Sequence, residues 1–566
     1  MNHEQRHPDP LPYPCALPSA LPSAFPSVYA AFAASAARYP DHDFLVVLPQ
    51  TAQIYGIDTQ TLRYGVALAR VDALAARYRA AGFGPGHRAG LMLENRPAFF
   101  LHWLALNALG VSVVPLSTEL RAAELEYITG HSELDLAVAP SARHADLHAA
   151  AQAAQRSVTI CEADADADAK AIPRAATAPR THTPDADTEC ALLYTSGTTG
   201  RPKACVLPNE YFLLAGLWYN RIGGLCTLRP GVERLITPLP MTHMNAMAYS
   251  TMAMILAGGA IVALDRFHPR SWWEDVRAAR ATVIHYLGVM PAMLLGAPPG
   301  AHDREHSVRF GFGAGVDKTL HAPFETRFGI PLLEAWAMTE TGAGAVVIAN
   351  REPRNIGRSC FGKPEAALEV RIVGDDGQLA PAGEPGELLV RASGDSPRRG
   401  FFREYLKDAE ATAAAWEGGW FHTGDIVRQD ADGQMYFVDR KKNVIRRSGE
   451  NISAVEVESV LRKHPCVADV AVAATPDAVR GDEVLACIVT REPLREAERT
   501  ARAAELVQLC LAQLAYFKAP GFVAFVDALP LTGTQKVQRA ALKDLARTLP
   551  GTPCCIDTRT MKKRQD

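Results

Sequence analysis

Short apolar runs along the first 430 residues are separated by stretches of helix length. From Arg88 the order is strand (Ala89 to Leu93), a helix with Pro97 in its first turn and Gly110 just past its end, then strand (Val111 to Val114). That is a βαβ unit. Similar apolar runs recur at Leu192 to Tyr194, Ala260 to Leu264, Ala281 to Leu287 and Pro331 to Ala335, with helix-length segments such as Ser271 to Arg280 between them, so this region reads as α/β. After about residue 440 the pattern changes to α+β: helix Val455 to Lys463, strands Val467 to Ala473 and Glu483 to Val489, helix Arg495 to Leu514, strand Val523 to Val526. The expected division is a Pro-rich tail over 1–26, a large domain over 27–438 and a small domain over 439–566. Between Cys161 and Cys190 lies A-D-A-D-A-D-A-K followed by Pro- and Thr-rich sequence, which cannot fill a core and reads as a surface excursion. No internal repeat of fixed period is visible.

Composition narrows the function classes. With 59 Lys and Arg against 62 Asp and Glu, the net charge of −3 supplies no basic field for nucleic acid, so a nucleic-acid partner is not expected. The most apolar stretch, Ala98 to Val114, is broken by His102 and Asn107 and is too short for a bilayer, so no integral membrane segment is expected either. Prolines at 8, 10, 12, 14, 18, 22 and 26 interrupt any apolar leader region, which reads as a disordered tail and not a signal peptide. The 11 cysteines show no C-x-x-C spacing, and adjacent Cys554 and Cys555 make a poor disulfide; reduced thiols in a cytoplasmic protein without structural zinc are expected.

Tyr194 to Lys203 reads Y-T-S-G-T-T-G-R-P-K behind an apolar strand. Gly197 and Gly200 let backbone N–H groups close on an anion, the hydroxyls of Thr195, Ser196, Thr198 and Thr199 can donate to phosphate oxygens, and Lys203 supplies a point charge. This is not a Walker A loop, which needs its lysine directly after the second glycine. Four further segments follow in order: W-A-M-T-E (Trp336 to Glu340), G-W-F-H-T-G-D (Gly419 to Asp425), D-R-K-K-N-V-I (Asp439 to Ile445) and P-L-T-G-T-Q-K-V (Pro530 to Val537). Taken together with the phosphate loop, they resemble the adenylate-forming superfamily, which includes acyl-CoA synthetases, luciferases and peptide-synthetase adenylation domains.

The resemblance implies an α/β fold with a large multi-sheet N-terminal domain and a small mobile α+β C-terminal lid. It implies a two-step reaction: a carboxylate and ATP give an acyl-adenylate and pyrophosphate, then a thiol gives a thioester and AMP. On this basis Glu340 is the Mg²⁺ ligand and Thr339 an α-phosphate donor; Asp425 takes the ribose hydroxyls and Arg440 acts near ribose and phosphate. Lys536 is the catalytic cation. Trp336 stands where the family usually has tyrosine and is assigned to adenine, beside the F-G-A-G segment with Gly313 and Ala314. His243 matches the mouth of the acyl pocket, Lys442 the hinge, and Gly449 the pantetheine tunnel. Ala454 replaces a common proline.

ATP, Mg²⁺ and coenzyme A are therefore the expected cofactors, and a small carboxylic acid the expected partner. Free coenzyme A is preferred over a tethered carrier, because the stretch after Lys536 is too short for a carrier domain. Ala337 stands where many medium- and long-chain or aryl ligases have glycine and acetate-type enzymes tryptophan, which points to a small to medium acid; the overall flavour is similar to crotonobetaine/carnitine-CoA ligases. The alternatives are an amino-acid or aryl-acid adenylating enzyme serving a separate carrier protein, or a non-catalytic nucleotide-binding regulator. Monomer and homodimer both stay open.

Overall fold

The computed structural model describes residues 25–163, 172–195, 202–374, 376–441, 445–447, 450–477, 481–514, 516–531 and 537–562. The described chain forms two compact units. One holds the chain up to Thr195, Pro202–Glu369 and Val390–Phe421; the other holds Val370–Leu389 and the chain from His422 onward. The change in pattern read near 438 thus lies inside the second unit. Among the described residues no helix is long and apolar enough to cross a membrane.

Two sheets organise the first unit. A six-stranded sheet runs in the order Thr159–Glu162, Leu136–Ala139, Arg88–Leu91, Ser112–Pro115, Glu189–Thr195, Lys203–Pro208, parallel except for the last strand. Two of its interior strands, Ser112–Pro115 and Leu136–Ala139, are buried along their whole length, as parallel strands covered on both faces must be. The helix Pro97–Asn107 joins two of them. Proline occupies its first turn, where an N–H would lack a partner anyway, and Gly110 takes φ +71° beyond its end. An eight-stranded sheet runs Val347–Ile348, Leu332–Trp336, Phe310–Ala314, Val283–Leu287, Arg234–Thr237, Ala260–Ala263, Asp43–Val47, Gln60–Arg63, with antiparallel strands only at its two edges.

The Pro- and Thr-rich stretch is on the surface as expected, yet tied down. Ala175 N donates to Ala81 O (2.8 Å), Arg180 N to Pro85 O (2.8 Å), and His87 Nε2 meets Thr177 Oγ1 at 2.9 Å. Its prolines lie against glycines: a β-carbon on Gly84 would sit 2.9 Å from Pro179 Cβ. Residues 164–171, which hold the A-D repeat from its second position on, and residues 1–24 of the Pro-rich tail lie outside the described residues.

In the second unit, a sheet in the order Glu450–Ile452, Ile445–Arg447, Gly481–Thr490, Phe522–Phe525, Cys555–Asp557, with Val467–Asp477 also on Gly481–Thr490, separates two cores. Strand alternation divides them. Val470, Val472, Val484, Ala486 and Ile488 face helices Ala454–Leu461 and Glu496–Gln513, while Ala471, Leu485 and Cys487 face helix Arg539–Thr548. Asp425 and Arg440 stand opposite one another on antiparallel strands Phe421–Gln429 and Met435–Arg440, followed in their sheet by Gly386–Ala392 and Leu368–Val373.

Candidate active site

Thr195 ends one strand and Lys203 opens the next, paired in antiparallel register at the base of the Thr/Ser/Gly loop. Ser196, Gly197, Thr198, Thr199 and Gly200 lie outside the described residues. Helix Ala122–His131 grips the segment on both sides: Tyr127 OH donates to Pro202 O (3.0 Å), and His131 Nδ1 and Tyr194 OH are 2.9 Å apart. Burial, reinforced by the Lys407 charge, holds His131 below its ordinary pKa.

The structure brings Thr195, Lys203 and Glu340 together. Glu340 is buried, and its Oε1 accepts from Tyr405 OH (3.0 Å) and Thr195 Oγ1 (3.4 Å), while its carbonyl accepts from Phe402 N (2.9 Å). Burial first, and then the Glu340 charge, push the Tyr405 hydroxyl well above its usual range, so it stays a donor; the Cys205 thiol is raised for the same two reasons. Lys203 Nζ lies 3.2 Å from Asp408 Oδ2 and 5.0 Å from the Tyr405 ring centroid. Tyr405 and Asp408 are absent from the sequence reading. They arrive because residues 403–406 run alongside strand Lys203–Pro208, through Arg403 N to Val206 O (2.8 Å), Val206 N to Glu404 O (2.9 Å) and Leu406 N to Ala204 O (2.8 Å). The signal that could have found Asp408 is its place as N-cap of helix Ala409–Ala415.

Strand Leu332–Trp336 leads toward Thr339 and Glu340. Thr339 is half-buried, and its carbonyl accepts from Tyr211 OH at 2.9 Å. Trp336 is 6% exposed with its ring 6.1 Å from that of Phe361. Gly313 pairs with Tyr286 on one side and Glu334 on the other; a β-carbon there would sit 2.2 Å from Tyr286 O, so only glycine fits. Ala314 next to it is exposed. The turn beyond is fastened by Glu334, whose carboxylate accepts from Gly315 N and Val316 N (3.0 Å each) and from Tyr286 OH (3.2 Å). Burial raises this carboxyl group's pKa, with the backbone donors pulling the other way.

His243 is exposed and immediately precedes a stretch of π-helix, Asn245–Ser250, a wide turn that often marks functional segments. Behind it, His285 is fully buried with Nδ1 2.7 Å from Asn245 Oδ1 and 2.8 Å from Ser250 Oγ, and Nε2 3.1 Å from Tyr219 OH. Burial lowers its pKa to about 3, so the ring is neutral. The two oxygens at Nδ1, with Ser250 already donating to Asn245 O, assign the ring proton to Nδ1 and leave Nε2 to accept from Tyr219.

In the second unit Asp425 is buried, 1% exposed, and pairs with Arg440 Nε at 2.6 Å. Thr423 and Glu387 shape the turn before it: Asp425 N donates to Thr423 Oγ1 (3.0 Å) and Gly424 N to Glu387 Oε1 (3.2 Å), with Gly424 at φ +64°. Glu387 also holds Lys441 at 2.6 Å. Lys442, Gly449 and Lys536 lie outside the described residues. Three residues beyond Lys536, Arg539 forms a two-pronged pair with buried Glu458 (2.7 and 3.0 Å), whose Oε1 also accepts from Val472 N.

Among the described residues no three His, Cys, Asp or Glu side chains cluster to hold a metal ion. Glu340, one carboxylate flanked by hydroxyls, instead suits Mg²⁺, which typically takes one or two protein carboxylates and completes its shell with substrate phosphates and water. No such lone-carboxylate arrangement suits structural zinc.

A profile described as AMP-binding enzyme matches residues 32–406, and one described as AMP-binding enzyme C-terminal domain matches residues 456–536. A crotonobetaine/carnitine–CoA ligase of Salmonella heidelberg (strain SL476) is 31% identical over 485 residues, covering 84% of this chain and 91% of the ligase. Among solved structures, ATP-bound MatB from Rhodopseudomonas palustris is similar with a TM-score of 0.75 at 25% identity, over 92% of this chain and 99% of that one. The o-succinylbenzoate CoA synthetase of Bacillus subtilis, in complex with its acyl-adenylate intermediate OSB-AMP, shares the fold with a TM-score of 0.76 at 24% identity, over 92% and 98% of the two chains. With two family profiles matched in order along its length and a relative aligned over most of it, the chain belongs to the AMP-binding, adenylate-forming enzyme family.

Proposed function

We propose that this protein is an AMP-forming acid–thiol ligase that activates a small to medium carboxylic acid and transfers it to coenzyme A. The observation that carries this reading is the buried Glu340 carboxylate, fixed between Thr195 and Tyr405 hydroxyls with Lys203 close by, at the root of a loop made of glycines and hydroxyls. In the first step the acid's carboxylate oxygen bonds to the α-phosphorus of ATP and the bond to pyrophosphate breaks. Two anions must meet, so the protein's task is charge compensation and alignment. Bound Mg²⁺ would supply Lewis-acid neutralisation of the phosphate oxygens. Glu340 would hold it. Lys203 and the loop hydroxyls bind the outgoing phosphates, Thr339 donates to the α-phosphate, and Lys536 offsets the charge between carboxylate and phosphate.

Trp336 and the Gly313–Ala314 strand end are assigned to the adenine side. Asp425, paired with Arg440 at 2.6 Å, accepts from the two ribose hydroxyls. His243 borders the acyl site, whose size Ala337 limits. In the second step the coenzyme A sulfur bonds to the acyl carbon, AMP leaves with its oxygen, and the thiol proton is lost to solvent; Gly449 gives the pantetheine arm passage. We assign the second step to a different position of the segment 439–566, turning at Lys442. A cytoplasmic setting belongs to the same proposal. The relative named as a crotonobetaine/carnitine–CoA ligase supports a small acid.

The test is a screen of pyrophosphate release over small and medium carboxylic acids, with and without coenzyme A. Acid-dependent release followed by a CoA thioester is expected. Adenylate accumulation with no effect of coenzyme A would favour delivery to a carrier protein, and no release with any acid would contradict the reading.

A further inference from the structure

Lys203 has a partner that no motif in the sequence announces. Its Nζ lies 3.2 Å from Asp408 Oδ2, with the lysine side chain 23% exposed and the aspartate 38%. Two features of the backbone set this pairing. Residues 403–406 are hydrogen-bonded along the strand that carries Lys203, which fixes the distance between the two chains. Asp408 is also the N-cap of helix Ala409–Ala415, and its Oδ1 accepts from Ala411 N at 3.0 Å. One carboxylate oxygen therefore serves the helix while the other faces the lysine. The Ala411 N–H, and after it Lys203, keep the carboxyl below its usual pKa, so it is an anion at neutral pH.

A lysine that must take a phosphate oxygen is a compact point charge, and a carboxylate 3.2 Å away already answers that charge. We propose that Asp408 is an internal counter-ion that competes with ligand phosphate for Lys203, weakening the site's hold on polyphosphate so that pyrophosphate can leave. This inference rests on the adenylation reading above. The exchange balances without proton transfer: on binding, the Lys203–Asp408 contact opens, Lys203 Nζ takes a phosphate oxygen, and Asp408 Oδ2 turns to water while Oδ1 keeps the cap. On release the contact closes again. The partial exposure of both partners leaves the pair open to an incoming anion.

The competing explanation is that Asp408 is only a cap, and the two predict different outcomes: tighter phosphate binding without the carboxylate charge, or no change. Asparagine caps as well as aspartate, so Asp408→Asn keeps the cap and removes the charge. In equilibrium titrations of the full chain with inorganic pyrophosphate and with ATP, Asp408→Asn should bind both about two- to fivefold more tightly, the scale of an ion pair between partly exposed partners, and the gain should shrink at high salt. In a Lys203→Met background the same substitution should change nothing. Asp408→Ala should reproduce the gain in affinity while lowering Tm through the lost cap. Unchanged or weaker pyrophosphate binding in Asp408→Asn at the parental Tm would overturn the proposal, as would a gain that persists without Lys203. A parent chain that binds neither ATP nor pyrophosphate would sink the adenylation reading itself.

Discussion

Glu340 illustrates how a residue's role depends on what fixes it. A surface carboxylate would meet a cation in many geometries, whereas this one is buried and has Oε1 held by two hydroxyl donors. Glu340→Gln should lower acyl-adenylate formation by about 10²-fold or more, the cost of removing a charge that stabilises the transition state. Pyrophosphate exchange measures it; an unchanged rate would remove Glu340 from the site. Tyr405→Phe deletes a donor to that carboxylate and should raise the Mg²⁺ concentration needed for half-maximal exchange by about tenfold, as expected for one hydrogen bond to a charged group. His285 makes a prediction about pH. Its folded pKa of about 3 lies below the ordinary 6.5, so between those values the unfolded chain binds a proton that the native chain does not. Stability is then present above pH 6.5 and is lost as pH falls toward 3, at up to about 1.4 kcal/mol per unit. His102, lowered by burial to about 4, acts in the same sense. Replacing His285 with glutamine should flatten the dependence of Tm on pH across the acid range.

At the scale of elements, the strands that the sequence makes legible are those with a simple pattern. The unit around Pro97 and Gly110, and the runs at Ala260, Val283 and Leu332, are short, apolar and bounded by turn residues, so periodicity locates them to within a few residues. Strand Lys203–Pro208 is not legible in the sequence beyond Lys203 at the end of the phosphate loop, because its lysine and proline ends disguise a four-residue apolar middle. Tyr405, and Asp408 beyond its place as a helix cap, escape the sequence for a different reason: their roles at the site come from register against that strand, and register is a long-range property. The site glycines are legible as motif members but not as packing constraints. Gly288 belongs to no motif, yet a β-carbon on it would lie 1.7 Å from Gly315 O, so Gly288→Ala should displace the turn after Ala314 and raise the KM for ATP severalfold. Arg539→Met should cost about 3 kcal/mol by leaving Glu458 buried without its cation, read as a fall in the denaturation midpoint.

At the scale of the molecule, the proposed mechanism makes separable demands on the segment 439–566 in its two half-reactions. Lys536→Ala should abolish adenylate formation yet still convert a supplied acyl-adenylate to the thioester. Gly449→Leu should do the reverse, because on the role proposed for Gly449 added volume would block the pantetheine arm without touching adenylation. Equal loss of both steps in both variants would contradict a site that is used in two arrangements. The central claim is that the acid is activated through its own carboxylate oxygen on AMP, and oxygen labelling reads this without any variant. The purified chain is supplied with ATP, Mg²⁺, coenzyme A and a turned-over acid carrying ¹⁸O in its carboxylate, and the nucleotide and phosphate products are weighed by mass spectrometry. The account predicts one labelled oxygen in AMP and none in pyrophosphate, together with the CoA thioester. Label in inorganic phosphate with ADP as the nucleotide product, or unlabelled AMP, would contradict it.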